Sequence, residues 1–265
     1  MVITTAATRG ASSAIKAIRE MTPPLARLEW KVATVVDIRD ETRRARTLVL
    51  DVPEWPGHLA GQHVDVRLVA EDGYQAQRSY SIASAPGSPH VELTVERIEN
   101  AEVSPYLCDV LQHGDGVEVR GPIGGYFVWR SSDPGPLLLI GGGSGVVPLM
   151  SMLRHHASSA GGSARLLYSA RTLDDVIYRR ELDALAATDG VRVSIALTRE
   201  WPSDWQGFRR RIDRAMLEEI AWPASEGGRA YVCGPTPLVE AVATLLVELG
   251  YDASRVRTER FGPTS

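Results

Sequence analysis

Arg78-Ser79-Tyr80-Ser81 sets a cation, a hydroxyl, a flat aromatic ring and a second hydroxyl in four consecutive residues. Read as a β-strand with its period of two, the segment sends Arg78, Tyr80 and Ile82 to one side and Ser79, Ser81 and Ala83 to the other. Such a strand offers a charge for a diphosphate, a ring to stack on and a hydrogen bond to a ring edge, which are the requirements of a flavin. Taken alone, the four residues would suit an ordinary surface strand just as well. Their meaning depends on what accompanies them.

Three glycine-containing segments do. Gly141-Gly142-Gly143-Ser144-Gly145 follows the apolar run Pro136–Ile140 and precedes a helical pattern. Glycines at such a turn let the backbone approach a diphosphate, and the helix start adds N–H donors and positive potential. The loop is neither a Walker A sequence nor the spaced dinucleotide fingerprint, and a plain tight turn is the structural alternative. Cys233-Gly234-Pro235-Thr236-Pro237 stands at a later strand-to-helix junction. In an open parallel sheet both loops fall at the carboxyl edge, where ligands bind, and two such loops suit a dinucleotide laid across the sheet. Cys233 by itself reads as a buried, inert thiol. The third segment, Gly121-Pro122-Ile123-Gly124-Gly125, closes the first half of the chain as a turn or as a place of close approach.

The elements that must position these residues divide the chain in two. From Leu25 to Arg130, β-branched runs at 30–38, 45–52, 62–69, 77–83, 90–97 and 116–120 alternate with turn residues. Ser104-Pro105 has the form of an N-cap and first helical position, followed by the stripe Tyr106, Leu107, Val110 and Leu111. Six short strands and one helix predict a small closed antiparallel β-barrel. The linker 131–136 marks a change of composition. Beyond it, strands at 137–140, 165–168, 192–198 and 230–233 alternate with helices at 147–156, 178–187, 214–220 and 236–249, and a last strand covers 256–259. This βα alternation predicts a doubly wound parallel sheet. The expected organisation is a flexible tail over 1–24, a flavin-binding barrel over 25–130 and a nucleotide-binding α/β domain over 131–265.

Composition narrows the function classes. The 265 residues are 44% hydrophobic and 23% charged, with a net charge of −4 and a pI near 5.9, which gives no support for nucleic-acid binding. Two distant cysteines, Cys108 and Cys233, make no zinc site and cannot ligate an iron–sulfur cluster, which needs about four. A reducing, cytoplasmic setting suits them. No run reaches the ~18 apolar residues of a membrane span, and residues 1–24 lack a secretory h-region. His155 and His156, adjacent on a helix, face different ways and read as surface residues. Arg43, Arg44 and Arg46 form a basic loop, solvated or suited to docking an acidic redox protein.

The ordered set Arg-x-Tyr-Ser, Gly-Pro-x-Gly, Gly-Gly-x-Ser-Gly-x-x-Pro and Cys-Gly-Pro resembles the ferredoxin–NADP reductase superfamily from Leu25 to Ser265. The nearest likeness is to stand-alone bacterial ferredoxin reductase-like flavoproteins and the reductase components of oxygenases. The resemblance implies that Arg78, with Ser79 beside it, pairs with the flavin diphosphate, that Tyr80 packs on the isoalloxazine and that Ser81 bonds near N5. It implies that the backbone of Arg97 and Ile98 holds the ribityl chain or ring edge, and that Ser104 and its helix cradle the diphosphate. Gly142, Gly143, Ser144, Gly145 and Val146, with Gly234 and Pro235, would hold the nicotinamide dinucleotide. Cys233 would lie near the nicotinamide, and Glu259 and Phe261 would return beside the flavin. Ser81, Cys233 and Glu259 are the implied catalytic residues. Asn100-Ala101-Glu102-Val103 stands where members often carry glycines, so FMN stays open beside FAD.

Thr198-Arg199 and Arg209-Arg210-Arg211 offer guanidinium forks that suit a 2′-phosphate. Arg171 follows the second strand of the α/β half, where an acidic residue would favour the ribose diol of NAD. Both features lean to NADPH. Asp213, where NADP-selective relatives place an aromatic, leans the other way, and NADH stays open. The expectation is an FAD-dependent NAD(P)H oxidoreductase, monomeric, that takes hydride onto its flavin and passes single electrons to a separate redox protein, ferredoxin-like or an oxygenase component. A reductase of small acceptors such as ferric chelates or free flavin shares the same half-reaction. A flavin-binding regulatory subunit with little turnover is the reading of another class, against which the intact Ser81, Cys233 and Glu259 argue.

Overall fold

The computed structural model describes residues 28–70, 72–159 and 162–262, so the expected tail over 1–24 lies outside the described residues. The first half is a six-stranded antiparallel sheet of β1 (Lys31–Asp40), β2 (Ala45–Asp51), β3 (His63–Val69), β4 (Gln75–Ser81), β5 (Val91–Glu96) and β6 (Gly116–Ile123), in the order β4-β3-β6-β1-β2-β5. The two ends of that order meet: Ile82 bridges Leu93, and the Ala83 N–H donates to the Glu92 carbonyl at 2.8 Å. The sheet thus closes into the expected barrel, which removes its exposed edges. Leu48, Leu50, Val64, Val66, Ile82, Leu93 and Val119 fill its interior.

The helix expected after Ser104 is only a π-helical turn, Tyr106–Val110. Ser104 does not cap it. Its buried Oγ accepts the N–H of Ile98 at 3.1 Å instead, which ties the side chain to the preceding loop.

The second half is a parallel sheet of β7 (Leu137–Gly142), β8 (Ala164–Ala170), β9 (Val191–Leu197), β10 (Arg229–Pro235) and β11 (Val256–Phe261), in the order β11-β10-β7-β8-β9. Helices α1 (Val146–Ser158), α2 (Arg179–Ala186), α3 (Arg214–Ile220) and α4 (Thr236–Glu248) connect the strands. Every residue of β7 is buried, as a central strand covered on both faces requires. The chain starts at this centre, winds outward through β8 and β9, then returns to build β10 and β11 on the other side. The winding therefore reverses between β7 and β10, and the carboxyl ends of these strands form the switch-point crevice where such sheets bind ligands. β7 ends at Gly142 and β10 at Pro235, so both glycine loops flank it.

The two halves share one apolar core. Ala45, Ala60, Ala83, Phe127 and Trp129 of the barrel side pack with Val147, Met150, Met152 and Tyr231. Polar contacts cross the same seam: Ser151 Oγ donates to the Ser84 carbonyl at 2.7 Å, and Arg154 reaches the Ala83 carbonyl at 2.9 Å and Glu92 at 2.8 Å. His156, expected at the surface, is buried in this region. Its Nε2 bonds the Gly162 carbonyl at 3.1 Å and its ring lies 5.9 Å from that of Trp129, because α1 is covered by the barrel side.

Candidate functional site

The dinucleotide half is made mostly of backbone. Gly143 takes φ +55°, and Gly143–Gly145 form a 3-10 turn that runs directly into α1 without a side-chain cap. A Cβ on Gly145 would stand 2.3 Å from the Cys233 carbonyl oxygen, so only glycine lets the turn lie against the end of β10. Gly142 is confined by a side chain rather than by backbone, with Leu238 Cδ1 2.7 Å from the position of a Cβ. A 240 Å³ cavity beside them brings together Gly142, Gly143, Arg171, Thr198, Pro235 and Phe261. A second cavity of 440 Å³ is lined by Arg211 and Ile212 and shares Ser169, Thr198, Pro235 and Leu238 with the first. The two cavities adjoin at these shared residues and together line a groove at the strand ends. Val146 lies buried at the start of α1 and Ser144 is half-buried in the turn.

Cys233 and Glu259 are register partners on β10 and β11. The thiol is buried, and burial together with the neighbouring carboxyl pushes its pKa well up. Burial also pushes the Glu259 carboxyl up from its ordinary value near 4.5 to about 7, and its Oε2 has no hydrogen-bond partner among the described residues. A carboxyl in this condition holds or releases a proton near neutrality. The final strand runs two residues further than expected, to Phe261, which pairs with Pro235 and lines the first cavity.

The barrel half is made of side chains on β4. Arg78 is more than half exposed, donates to the Gln77 carbonyl at 2.6 Å and stands 3.7 Å from Glu102. Tyr80 packs half-buried against the barrel core, and burial raises its pKa. Ser81, half-buried, pairs with His63 of β3. Ser79 faces away from Arg78 and Tyr80. Its hydroxyl donates to Asp65 at 2.7 Å, and Asp65 in turn holds Arg120 at 2.7 Å, so its work is within the barrel wall. Arg97, Ile98 and Ser104 form one knot: Arg97 binds Asp109 at 2.7 Å, its N–H goes to Arg44, and Ser104 fixes Ile98. Ser104 braces this loop through its oxygen, and its O–H donates to no described residue.

The arginines expected at a 2′-phosphate separate. Arg210 pairs with Asp213, which caps α3 by accepting the Met216 N–H at 2.9 Å, and Arg209 turns back onto Trp205. Arg199 and Arg211 form no ion pair with a described residue, but only Arg211 lines the groove. Arg44, expected in a solvated or partner-docking basic loop, also lines it, as do Glu96 and Asp175, which were not singled out in the sequence. The usable signal was the position of Glu96 beside Arg97 at the end of a strand already marked for the flavin.

Two known domain families match this chain: the oxidoreductase FAD-binding domain over residues 31–128 and the oxidoreductase NAD-binding domain over 139–244. Ferredoxin–NADP reductase B of Sorangium cellulosum is 39% identical over 211 residues, which cover 76% of this chain and 84% of that protein. The chain belongs to the ferredoxin–NADP reductase superfamily. The glycine betaine monooxygenase reductase subunit of Pseudomonas aeruginosa is 37% identical over 235 residues, 86% of this chain but 63% of the subunit, so the chain spans less than two thirds of that relative. Among solved structures, the Amycolatopsis cytochrome P450 reductase GcoB is similar with a TM-score of 0.77 at 28% identity, covering 90% of this chain and 71% of that one.

The cofactors of this superfamily member are FAD and NAD(P)H. The residues present fit both. Gly145 lets the turn at the start of α1 lie against the end of β10, Glu259 of β11 holds an unpartnered buried oxygen beside Cys233, and β4 presents a cation, a ring and a hydroxyl in sequence.

Proposed function

We propose that the protein is the reductase of an electron-transfer pair, drawing on NAD(P)H and delivering electrons to a separate redox protein of the ferredoxin or oxygenase-component class. When bound, the flavin supplies the redox chemistry, accepting a hydride and releasing electrons singly. The chain supplies position and electrostatics. Arg78 and Tyr80 hold the flavin, Ser81 offers a hydroxyl to its ring edge, and Gly142–Val146 with Gly234 and Pro235 hold the coenzyme. Cys233 and Glu259 form the floor on which the nicotinamide rests, and Phe261 covers the same space. The juxtaposition of Cys233 and the unpartnered Glu259 at the end of β10 carries this reading, because it puts a proton-holding group at the sheet's switch point.

Similarity to the glycine betaine monooxygenase reductase subunit supports a protein acceptor. Arg211 in the groove supports NADPH, with a contact worth roughly tenfold or more in affinity for a phosphate. Two separate, buried, free cysteines are in keeping with a monomer of the reducing cytosol. No helix among the described residues is long and apolar enough to cross a membrane.

Steady-state oxidation of NADPH and NADH against a panel of acceptors tests the proposal. Salt-sensitive turnover with a ferredoxin-like protein, and a higher kcat/KM for NADPH, are expected. Equal turnover with ferric chelates or free flavin and none with a protein would favour a reductase of small acceptors.

A further inference from the structure

The 240 Å³ cavity has two walls, and only one belongs to the nucleotide sheet. We infer that the barrel completes the coenzyme site, with Arg44 taking the dinucleotide's diphosphate and Glu96 its ribose hydroxyls. This rests on the reading of the groove as the NAD(P)H site.

The backbone carrying both residues is held firmly. Thr42 Oγ accepts the N–H groups of Arg44 at 3.1 Å and Ala45 at 3.0 Å, which shapes the β1–β2 loop. The Arg44 carbonyl accepts the Arg97 N–H at 2.7 Å, and Ala45 pairs with Glu96 across β2 and β5. The Arg44 guanidinium donates to the Arg97 carbonyl at 3.3 Å and forms no ion pair with a described residue. The exposed side chain lines a cavity together with Gly142 and Gly143. Glu96 is half-buried and its carboxylate makes no hydrogen bond with a described residue. Its Oε2 lies 4.0 Å from where a Cβ would stand on Gly143.

The charges then sort the ligand. A guanidinium fork matches phosphate oxygens, and a carboxylate matches hydroxyl donors while repelling phosphate. Together they fix which part of the dinucleotide meets Gly143 from the barrel side.

The roof stays in register because the seam is pinned nearby. Thr94, two residues before Glu96 on the same face of β5, hydrogen-bonds the Tyr178 hydroxyl across the seam. Tyr178 is buried with φ +61°, a conformation a bulky residue keeps only where its surroundings over-determine it. Arg154 adds a fork to Glu181 at 2.6 and 2.7 Å while holding Glu92 of β5.

Calorimetric titration of the flavin-loaded protein with NADP⁺, NAD⁺ and ADP-ribose tests the inference. Arg44→Gln drops the charge and shortens the side chain, leaving a neutral amide in place of the guanidinium fork. It should weaken all three ligands by roughly 10- to 100-fold and flatten the salt dependence of binding, with flavin content unchanged. Glu96→Ala should weaken them by a smaller factor, roughly threefold to tenfold, since it loses acceptors for hydroxyl donors. Unaltered affinity in Arg44→Gln would overturn the inference and leave the groove reading standing. Loss of flavin from Arg44→Gln would also overturn it, by assigning Arg44 to the flavin. If the unaltered protein binds none of the three ligands, the groove reading and this inference fall together.

Discussion

On β4 the groups offered to a cofactor are side chains, Arg78, Tyr80 and Ser81, carried by a strand whose backbone is occupied with its barrel neighbour β3. At the β7–α1 turn they are backbone, with Gly142 and Gly145 allowing the chain to lie against the end of β10, Gly143 turning at φ +55°, and the first helical N–H groups left without a side-chain cap. The two halves should therefore fail in opposite ways. A side-chain site is damaged by deletion, and a backbone site by addition. The same contrast explains what each half recognises: a strand can present one cation, one ring and one hydroxyl at fixed intervals, whereas a helix start presents a cluster of donors suited to a diphosphate.

The largest effect should come from adding one carbon to the backbone site. Gly145→Ala places a methyl 2.3 Å from the Cys233 carbonyl oxygen and 2.8 Å from the Gly234 Cα, neither of which is a flexible side chain. Shifting β10 to relieve this should cost about 3 kcal/mol. Thermal unfolding should show the loss, and binding of NADP⁺ and NAD⁺ should nearly vanish while the flavin remains. Retention of full coenzyme affinity in Gly145→Ala would break the contrast at its stronger end.

Glu259 sharpens the comparison, since it is a side chain on the backbone-built half. Its folded-state pKa, about 7, lies above the ordinary carboxyl value near 4.5, so the folded protein keeps a proton that the unfolded chain releases. Stability from this group is fully present below about pH 4.5 and is lost as pH rises through about 7, by up to about 3 kcal/mol. Glu259→Gln should remove that slope from denaturation curves measured across the window. An unchanged slope would mean that the carboxyl is ionised in the fold.

Deletion on the barrel half should cost somewhat less. Arg78→Ala should weaken flavin binding by about 1.5–3 kcal/mol, the range of a charge-assisted hydrogen bond, without changing dinucleotide affinity. Ser79→Ala, by contrast, should perturb the barrel wall through Asp65 and Arg120 and leave flavin affinity nearly intact. Equal flavin loss in both variants would show that β4 acts only as a structural strand.

The architecture was legible because period-two runs and βα alternation are written in apolar spacing, and because Gly142 to Gly145 can hardly serve any other element there. Cys233 and Glu259 were marked through family likeness, and their adjacency becomes physical only when β10 and β11 pair in parallel register. Ser104 misled because a serine followed by proline has the form of a helix cap, yet the competing Ile98 N–H is brought to it by a loop no local pattern specifies. Arg44 and Glu96 lie in strands and loops that were read correctly, but their role depends on which face of the barrel meets the second sheet. That is settled by packing around Phe127, Trp129 and Tyr231, far away in sequence. His156 was misjudged for the same reason.

Both halves of the site have to serve one reaction, and anaerobic mixing of the flavin-loaded protein with one equivalent of NAD(P)H measures this directly. The flavin absorbance should bleach in a single fast phase, and Ser81→Ala should keep its flavin but slow that phase by roughly 5- to 150-fold, the loss of one positioned hydrogen bond that strengthens in the transition state. A protein that holds its flavin yet shows no bleaching with either coenzyme would contradict the account.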